Sequence, residues 1–155
     1  MRPCVLAAFL IACFFAAGLG WVFTNPGLPW LATLQKPRLN PPDWVFAPVW
    51  TTLYTMMAVS GWFICRTEPS MNRSAALTLF ALQLVLNVAW TAIFFYMRRP
   101  GLALIEIVVL WGAIWGYVFF TSRTSGVAAW LFVPYGLWVT FALYLNVGLW
   151  QLNHC

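Results

Sequence analysis

The sequence is poor in charge. Only 7% of its 155 residues are Asp, Glu, Lys or Arg, against about 25% in an ordinary soluble domain. Acids are scarcest, three against eight basic residues, and the single histidine is His154. That scarcity removes the usual means of polar catalysis. No Ser/His/Asp set, no paired carboxylates and no glycine-rich phosphate loop occurs, so no catalytic residue is assigned. The sequence also lacks the ligand types, in number and spacing, that a metal site needs. Cys4, Cys13, Cys65 and Cys155 show no C-x-x-C spacing and read as small buried hydrophobes. Nor is there a basic stripe. Arg2, Lys36, Arg38, Arg66, Arg73, Arg98, Arg99 and Arg123 are scattered between apolar runs. This argues against nucleic acid as a partner and suits the loops of a membrane protein.

What is abundant is apolar surface. Hydrophobic residues make up 63% of the chain, and a chain this short has too little interior to hide them. A disordered chain needs the opposite composition. Lipid must be the solvent for most of this surface. Eleven Trp, thirteen Phe and five Tyr bring the aromatic share to 19%, which hydropathy alone does not require.

Five apolar runs each approach the roughly 20 residues needed to cross a bilayer. They cover about 4–23, 44–65, 74–97, 102–121 and 127–152. The runs are continuous and not alternating, and backbone groups in lipid must be satisfied within each segment, so helices are expected. The reading is an all-α membrane protein, a single domain over 1–155 forming a five-transmembrane-helix bundle. The first run is read as a retained helix, although Leu10-Ile11-Ala12-Cys13 resembles a lipoprotein cleavage site. Cleavage there would leave a stub too short to span.

Three connections are short. Residues 66–73 link runs two and three, Arg98-Arg99-Pro100-Gly101 should turn tightly before run four, and 122–126 link four and five. The first connection, 24–43, holds Pro26, Pro29, Pro37, Pro41 and Pro42 and is expected to be a structured lid. Pro42 and Asp43 suit a helix start. Lys and Arg divide four to four between the two sides, so the positive-inside rule assigns no orientation.

Helical spacing groups the aromatics. Trp50 and Tyr54 share one face, as do Asn87 and Trp90, Trp111 and Trp115, and the stripe of Trp138, Ala142 and Leu145. Trp21, Trp62 and Trp150 lie near run ends and suit interfacial anchors. For Trp50, Trp90 and Trp138, periodicity leaves a ligand cavity and plain core packing equally open. Pro48 and Pro134 fall within runs, where a missing donor predicts a local bend. Glu106 is the one acid within a run. It is either a functional group in the membrane or one that reaches the interface or pairs with Arg98 or Arg99. Asn87 and Asn146 suit interhelical hydrogen bonds, and Gly112-x-x-x-Gly116 permits close helix approach.

Three segments carry a resemblance. Residues 36–54 (KPRLNPPDWVFAPVWTTLY), 86–95 (LNVAWTAIFF) and 133–146 (VPYGLWVTFALYLN) resemble the tryptophan-rich sensory proteins, or TspO/MBR family, the bacterial relatives of the mitochondrial translocator protein. The resemblance covers essentially the whole chain. It implies a five-helix bundle with a cavity beneath the first loop, lined by Trp50, Asn87, Trp90, Trp138, Ala142 and Leu145, with Tyr54 one turn from Trp50. It implies a porphyrin ligand such as protoporphyrin IX or another planar apolar small molecule, benzodiazepine-site drugs, a homodimer, and residence in a bacterial cell membrane. No cofactor is obligatory. Mammalian members carry a cholesterol-recognition pattern at the end of helix five. Nothing basic follows Arg123 here, which counts against a sterol partner. Glu106 stands where mammalian relatives carry a shorter acid.

The leading expectation is a receptor or carrier with a sensory or transport role. Trp50, Trp90 and Trp138 would stack on the macrocycle, and Lys36 or Arg38 would pair with its propionates. The second is light-dependent porphyrin degradation with cavity tryptophans as redox partners. The third is a structural or assembly role.

Overall fold

Serine and proline set several helix starts. Ser70 Oγ accepts from the Arg73 amide at 3.2 Å and Ser125 Oγ from the Ala128 amide at 3.4 Å, each satisfying an orphan donor of a first turn. Pro100 opens a third helix, where its missing N–H costs nothing. In the computed structural model, which describes residues 3–153, the long helices are α1 (Pro3–Thr24), α3 (Phe46–Cys65), α4 (Met71–Thr91), α5 (Pro100–Ser122) and α6 (Gly126–Leu152), with a short α2 (Leu28–Thr33) after α1. Arg2, His154 and Cys155 lie outside the described residues. No strand occurs among the described residues.

Four stretches are long and apolar enough to cross a membrane by length and composition: Cys4–Thr33, Met71–Tyr96, Pro100–Ser122 and Gly126–Leu152. The sequence reading counted five. The helix outside this set is α3. It reaches 20 residues, but Thr51, Thr52, Tyr54, Thr55 and Ser60 lower its hydropathy.

The helices close into a ring. α1 packs on α3 and α4, α5 lies between α4 and α6, and α6 returns to α3. Their inward stripes bury Met57, Ile64, Ile114, Tyr117, Phe132 and Tyr135. Of the cysteines, Cys13 is buried, Cys65 is partly buried, and Cys4 is exposed, unlike the buried hydrophobe expected there.

Two connections differ from expectation. α4 does not stop at a simple turn. It continues as a π-helical turn, Ala92–Tyr96, and Arg98 then adopts φ 55°. This left-handed conformation is costly for a residue with a Cβ. Gly101, expected in the turn, sits inside α5, where a Cβ would press on the Trp150 indole. Close packing, not turn freedom, requires that glycine.

The first connection begins as helix. A 3-10 turn, Asn25–Gly27, leads into α2. Gly27 lies so near the Phe95 backbone that a Cβ would collide with it. Trp30, Leu31 and Leu34 then pack on Phe94, Ala103 and Leu149 at the bundle end. Asn153 fastens the next residue. Its Oδ1 accepts from the Gln35 amide at 2.9 Å and its Nδ2 donates to the Gln35 carbonyl at 3.0 Å. Pro37 rests against Gly148. The chain enters α3 through a 3-10 turn, Asp43–Val45, with Asp43 in that first turn.

Candidate ligand site

Two polar chains cross the bundle. Tyr54 Oη donates to Asn87 Oδ1 at 2.8 Å, and Asn87 Nδ2 donates to Tyr135 Oη at 3.0 Å. This ties α3 to α4 to α6. Trp90 Nε1 donates to Asn146 Oδ1 at 3.1 Å, and Asn146 Nδ2 donates to the Pro100 carbonyl at 2.8 Å, tying α4 to α6 to α5. Both asparagines thus make the interhelical bonds expected of them, and both are buried. Inside a membrane such bonds hold helices where apolar contact supplies no driving force over lipid.

Aromatic rings surround these chains. Trp50 lies 5.5 Å from Tyr54 and 6.2 Å from Tyr135, centroid to centroid. Trp90 stacks on Phe94 at 5.2 Å. Trp138 meets Phe46 at 5.9 Å and Phe141 at 5.7 Å. Trp50, Trp90, Trp138 and Ala142 are each partly buried and pack on the main core, while Leu145 is buried. Trp44 and Trp130, by contrast, are 75% exposed on the outside of the bundle. Among the described residues, none of the three inward indoles is in ring contact with another.

The structure thus brings together Trp50, Tyr54 and Asn87 around Tyr135, and brings Trp90 to Asn146. Trp138 joins them through the shared core. Lys36 and Arg38 stand exposed on the lid, apart from this interior. A groove of about 290 Å3 runs between α3 and α6, lined by Pro48, Val49, Thr52, Leu53, Met56 and Pro134. Both prolines singled out in the sequence border it.

Sequence reasoning missed Tyr135 and treated Asn146 as structural only. A signal was present for each. Tyr135 is three residues before Trp138 and Asn146 is four after Ala142, so both flank the same stripe of α6. Gly112-x-x-x-Gly116 serves close approach at one position only. Gly116 faces Leu79 of α4, while Gly112 faces open space.

Glu106 does not take the course of pairing with Arg98 or Arg99. Both of its carboxylate oxygens are buried and have no hydrogen-bond partner. No group of three or more His, Cys, Asp or Glu that could hold a metal occurs among the described residues. The arrangement can therefore offer flat ring faces, amide and phenol groups for hydrogen bonding, and one acid.

The chain is similar in sequence to known proteins. The family model described as TspO/MBR family matches residues 8–151. The chain is 41% identical over 150 residues to "Tryptophan-rich protein TspO" of Chlorobaculum tepidum, covering 96% of this chain and 95% of that one. It is 38% identical over 149 residues to "Tryptophan-rich sensory protein" of Cereibacter sphaeroides, covering 94% and 89%. It is also 38% identical over 130 residues to "Translocator protein" of Homo sapiens, covering 83% and 77%.

Proposed function

Because the chain belongs to the TspO/MBR family, we propose that it is a membrane receptor or carrier that holds tetrapyrroles of the protoporphyrin IX kind, and benzodiazepine-site ligands, inside the bundle beneath the lid. Its apolar helices and its relatives make it a multi-pass integral membrane protein. The reading adds α3 as a fifth span, residence in a bacterial cell membrane, and a homodimer. Support for the fifth span comes from the threonines of α3. Thr51, Thr52 and Thr55 each donate to the carbonyl four residues earlier, at 2.8–2.9 Å, so the polar side of this helix needs no water.

One observation carries the ligand reading. Trp50, Trp90 and Trp138 turn toward the core while Trp44 and Trp130 face out. Large flat rings are not needed inside merely to anchor a protein in lipid, whereas they suit a flat apolar guest, which gains by stacking on ring faces. Tyr54, Asn87 and Tyr135 would set its orientation, with Ala142 the small neighbour leaving it room and Leu145 packing at its edge. Lys36 and Arg38 would meet the propionates at the mouth. Exposed pairs of that kind contribute about 0.2–1 kcal/mol each, so burial of the macrocycle dominates affinity.

Titrating protoporphyrin IX into the detergent-solubilised protein tests this. Tryptophan fluorescence should fall with saturation, and the fall should be smaller and weaker in affinity for Trp138→Phe. Fluorescence unchanged in both proteins removes the reading.

A further inference from the structure

The polar atoms left without a partner in the interior are unequal. Gln83 Oε1, Trp115 Nε1 and Thr121 Oγ1 are single neutral atoms, whereas Glu106 leaves both oxygens of an ionisable group buried and unpaired. A buried polar atom without a partner is costly, and a carboxylate more so. Among the described residues the carboxylate of Glu106 has no hydrogen-bond partner, so it caps no helix and bridges no neighbour.

Its place in the bundle follows from register. On α5, Glu106, Leu110, Ala113 and Tyr117 succeed one another at steps of four, three and four residues, so Glu106 shares the inward stripe of three buried residues. Against α4, Ala103 clusters with Phe94. One turn deeper on each helix, Glu106 comes level with Trp90. Against α6, Gly101 meets Trp150, and Trp111 Nε1 bonds Thr140 Oγ1 at 2.9 Å. Midway between those anchors, Glu106 lies opposite Leu145. Six residues of helix from Pro100 put it about 9 Å below the lid-side end of α5. The unpaired acid thus stands level with Trp90 and Leu145, in the same interior as the proposed ligand site.

We infer that Glu106 is the acceptor of a nitrogen-borne proton on the guest, making this interior selective for planar molecules that carry a protonated nitrogen or an N–H group. The inference rests on the ligand reading above and deepens it. A guest with both kinds of group would place its nitrogen toward Glu106 and its anionic edge toward Lys36 and Arg38, because the acid repels a carboxylate. The group is a specificity determinant and carries out no chemistry.

The test uses two planar probes with the same three rings, 9-aminoacridine, which is cationic at neutral pH, and acridine, which is neutral. Each is titrated into the full chain in detergent, wild type and Glu106→Gln, with tryptophan quenching as the readout. 9-Aminoacridine should bind wild type roughly tenfold tighter than Glu106→Gln, the loss expected for one hydrogen bond to a charged group. Acridine should bind both alike. Glu106→Leu should melt no lower than wild type, since it removes an unpaired polar group. Equal 9-aminoacridine affinity in wild type and Glu106→Gln overturns the inference, and so does a lowered melting temperature for Glu106→Leu, which would reveal a structural partner. Protoporphyrin IX is titrated alongside. Quenching by it together with indifference of 9-aminoacridine to Glu106 removes the acid subsite alone. No quenching by any of the three removes the subsite and the ligand reading together.

Discussion

The two halves of the bundle are built on different plans. Away from the lid, the interior is closed. Tyr117 and Phe132 lie 4.0 Å apart, Phe80 touches both, and Phe9 meets Phe80 edge-on at 5.0 Å. The polar atoms of Ser60 are used up. Its hydroxyl donates to the Ala128 carbonyl at 2.7 Å and so accepts from Tyr117 Oη at 2.8 Å. Gly61 leaves no room for a Cβ beside Phe9 and Phe80. Beneath the lid, the interior is aromatic and amide-rich, its indoles are only partly buried, and it retains an unpaired acid. On the ligand reading proposed above, the difference separates what secures the fold from what would meet a guest. Well-packed rings resist rearrangement, whereas side chains joined by a few hydrogen bonds can exchange those bonds for others.

The comparison can be broken most forcefully at Phe80, which joins α1, α5 and α6. Phe80→Ala should cost roughly 3 kcal/mol through the void it leaves, read as a fall in melting temperature in detergent. The affinity of the folded fraction for protoporphyrin IX should hardly change. A large loss of affinity without loss of stability would show that the closed half belongs to the site. Next comes Asn87→Leu, which strands the hydroxyls of Tyr54 and Tyr135. Interhelical bonds in membranes are modest, so a cost of about 1–2 kcal/mol is expected for the pair, with a proportionally larger loss in porphyrin affinity. The smallest effect belongs to Asn153→Ala, which unfastens the lid at Gln35. Stability should fall by about 1 kcal/mol or less, and backbone amides of residues 34–40 should exchange faster with solvent. Unchanged exchange there would mean that Trp30, Leu31 and Leu34 alone hold the lid.

Much of this was legible beforehand. The helices fall close to the apolar runs. The run at 44–65 begins as a 3-10 turn and becomes α at Phe46, and the run at 74–97 starts one turn earlier, at Met71, where Ser70 supplies a cap. The connection rich in proline was expected to be ordered, but not that its first part would be helical. The helix-breaking sense of Pro26 and Pro29 is spent at the N-terminal positions of a 3-10 turn and of α2, where proline is tolerated. The turn before α5 is present, but proline and glycine, expected to make it, do other work: Arg98 takes the left-handed position, Pro100 opens α5 and Gly101 serves the Trp150 contact. Spacing put Trp50 with Tyr54, which are in ring contact, and put Asn87 on the face of Trp90, although the two bond to different partners. It could not rank Tyr135 or Asn146, because their importance lies in partners on other helices.

The amino-acid order alone therefore determined which long segments are helices, that their surface belongs in lipid, and which side chains share a face, since these depend on composition and on a period of 3.6 residues. It also carried the family likeness. Which faces meet was decided only by the packed bundle. Contacts such as Tyr54 with Asn87, Trp90 with Asn146, and the isolation of Glu106 join residues tens of positions apart or none at all, and no local periodicity encodes the order in which helices close a ring.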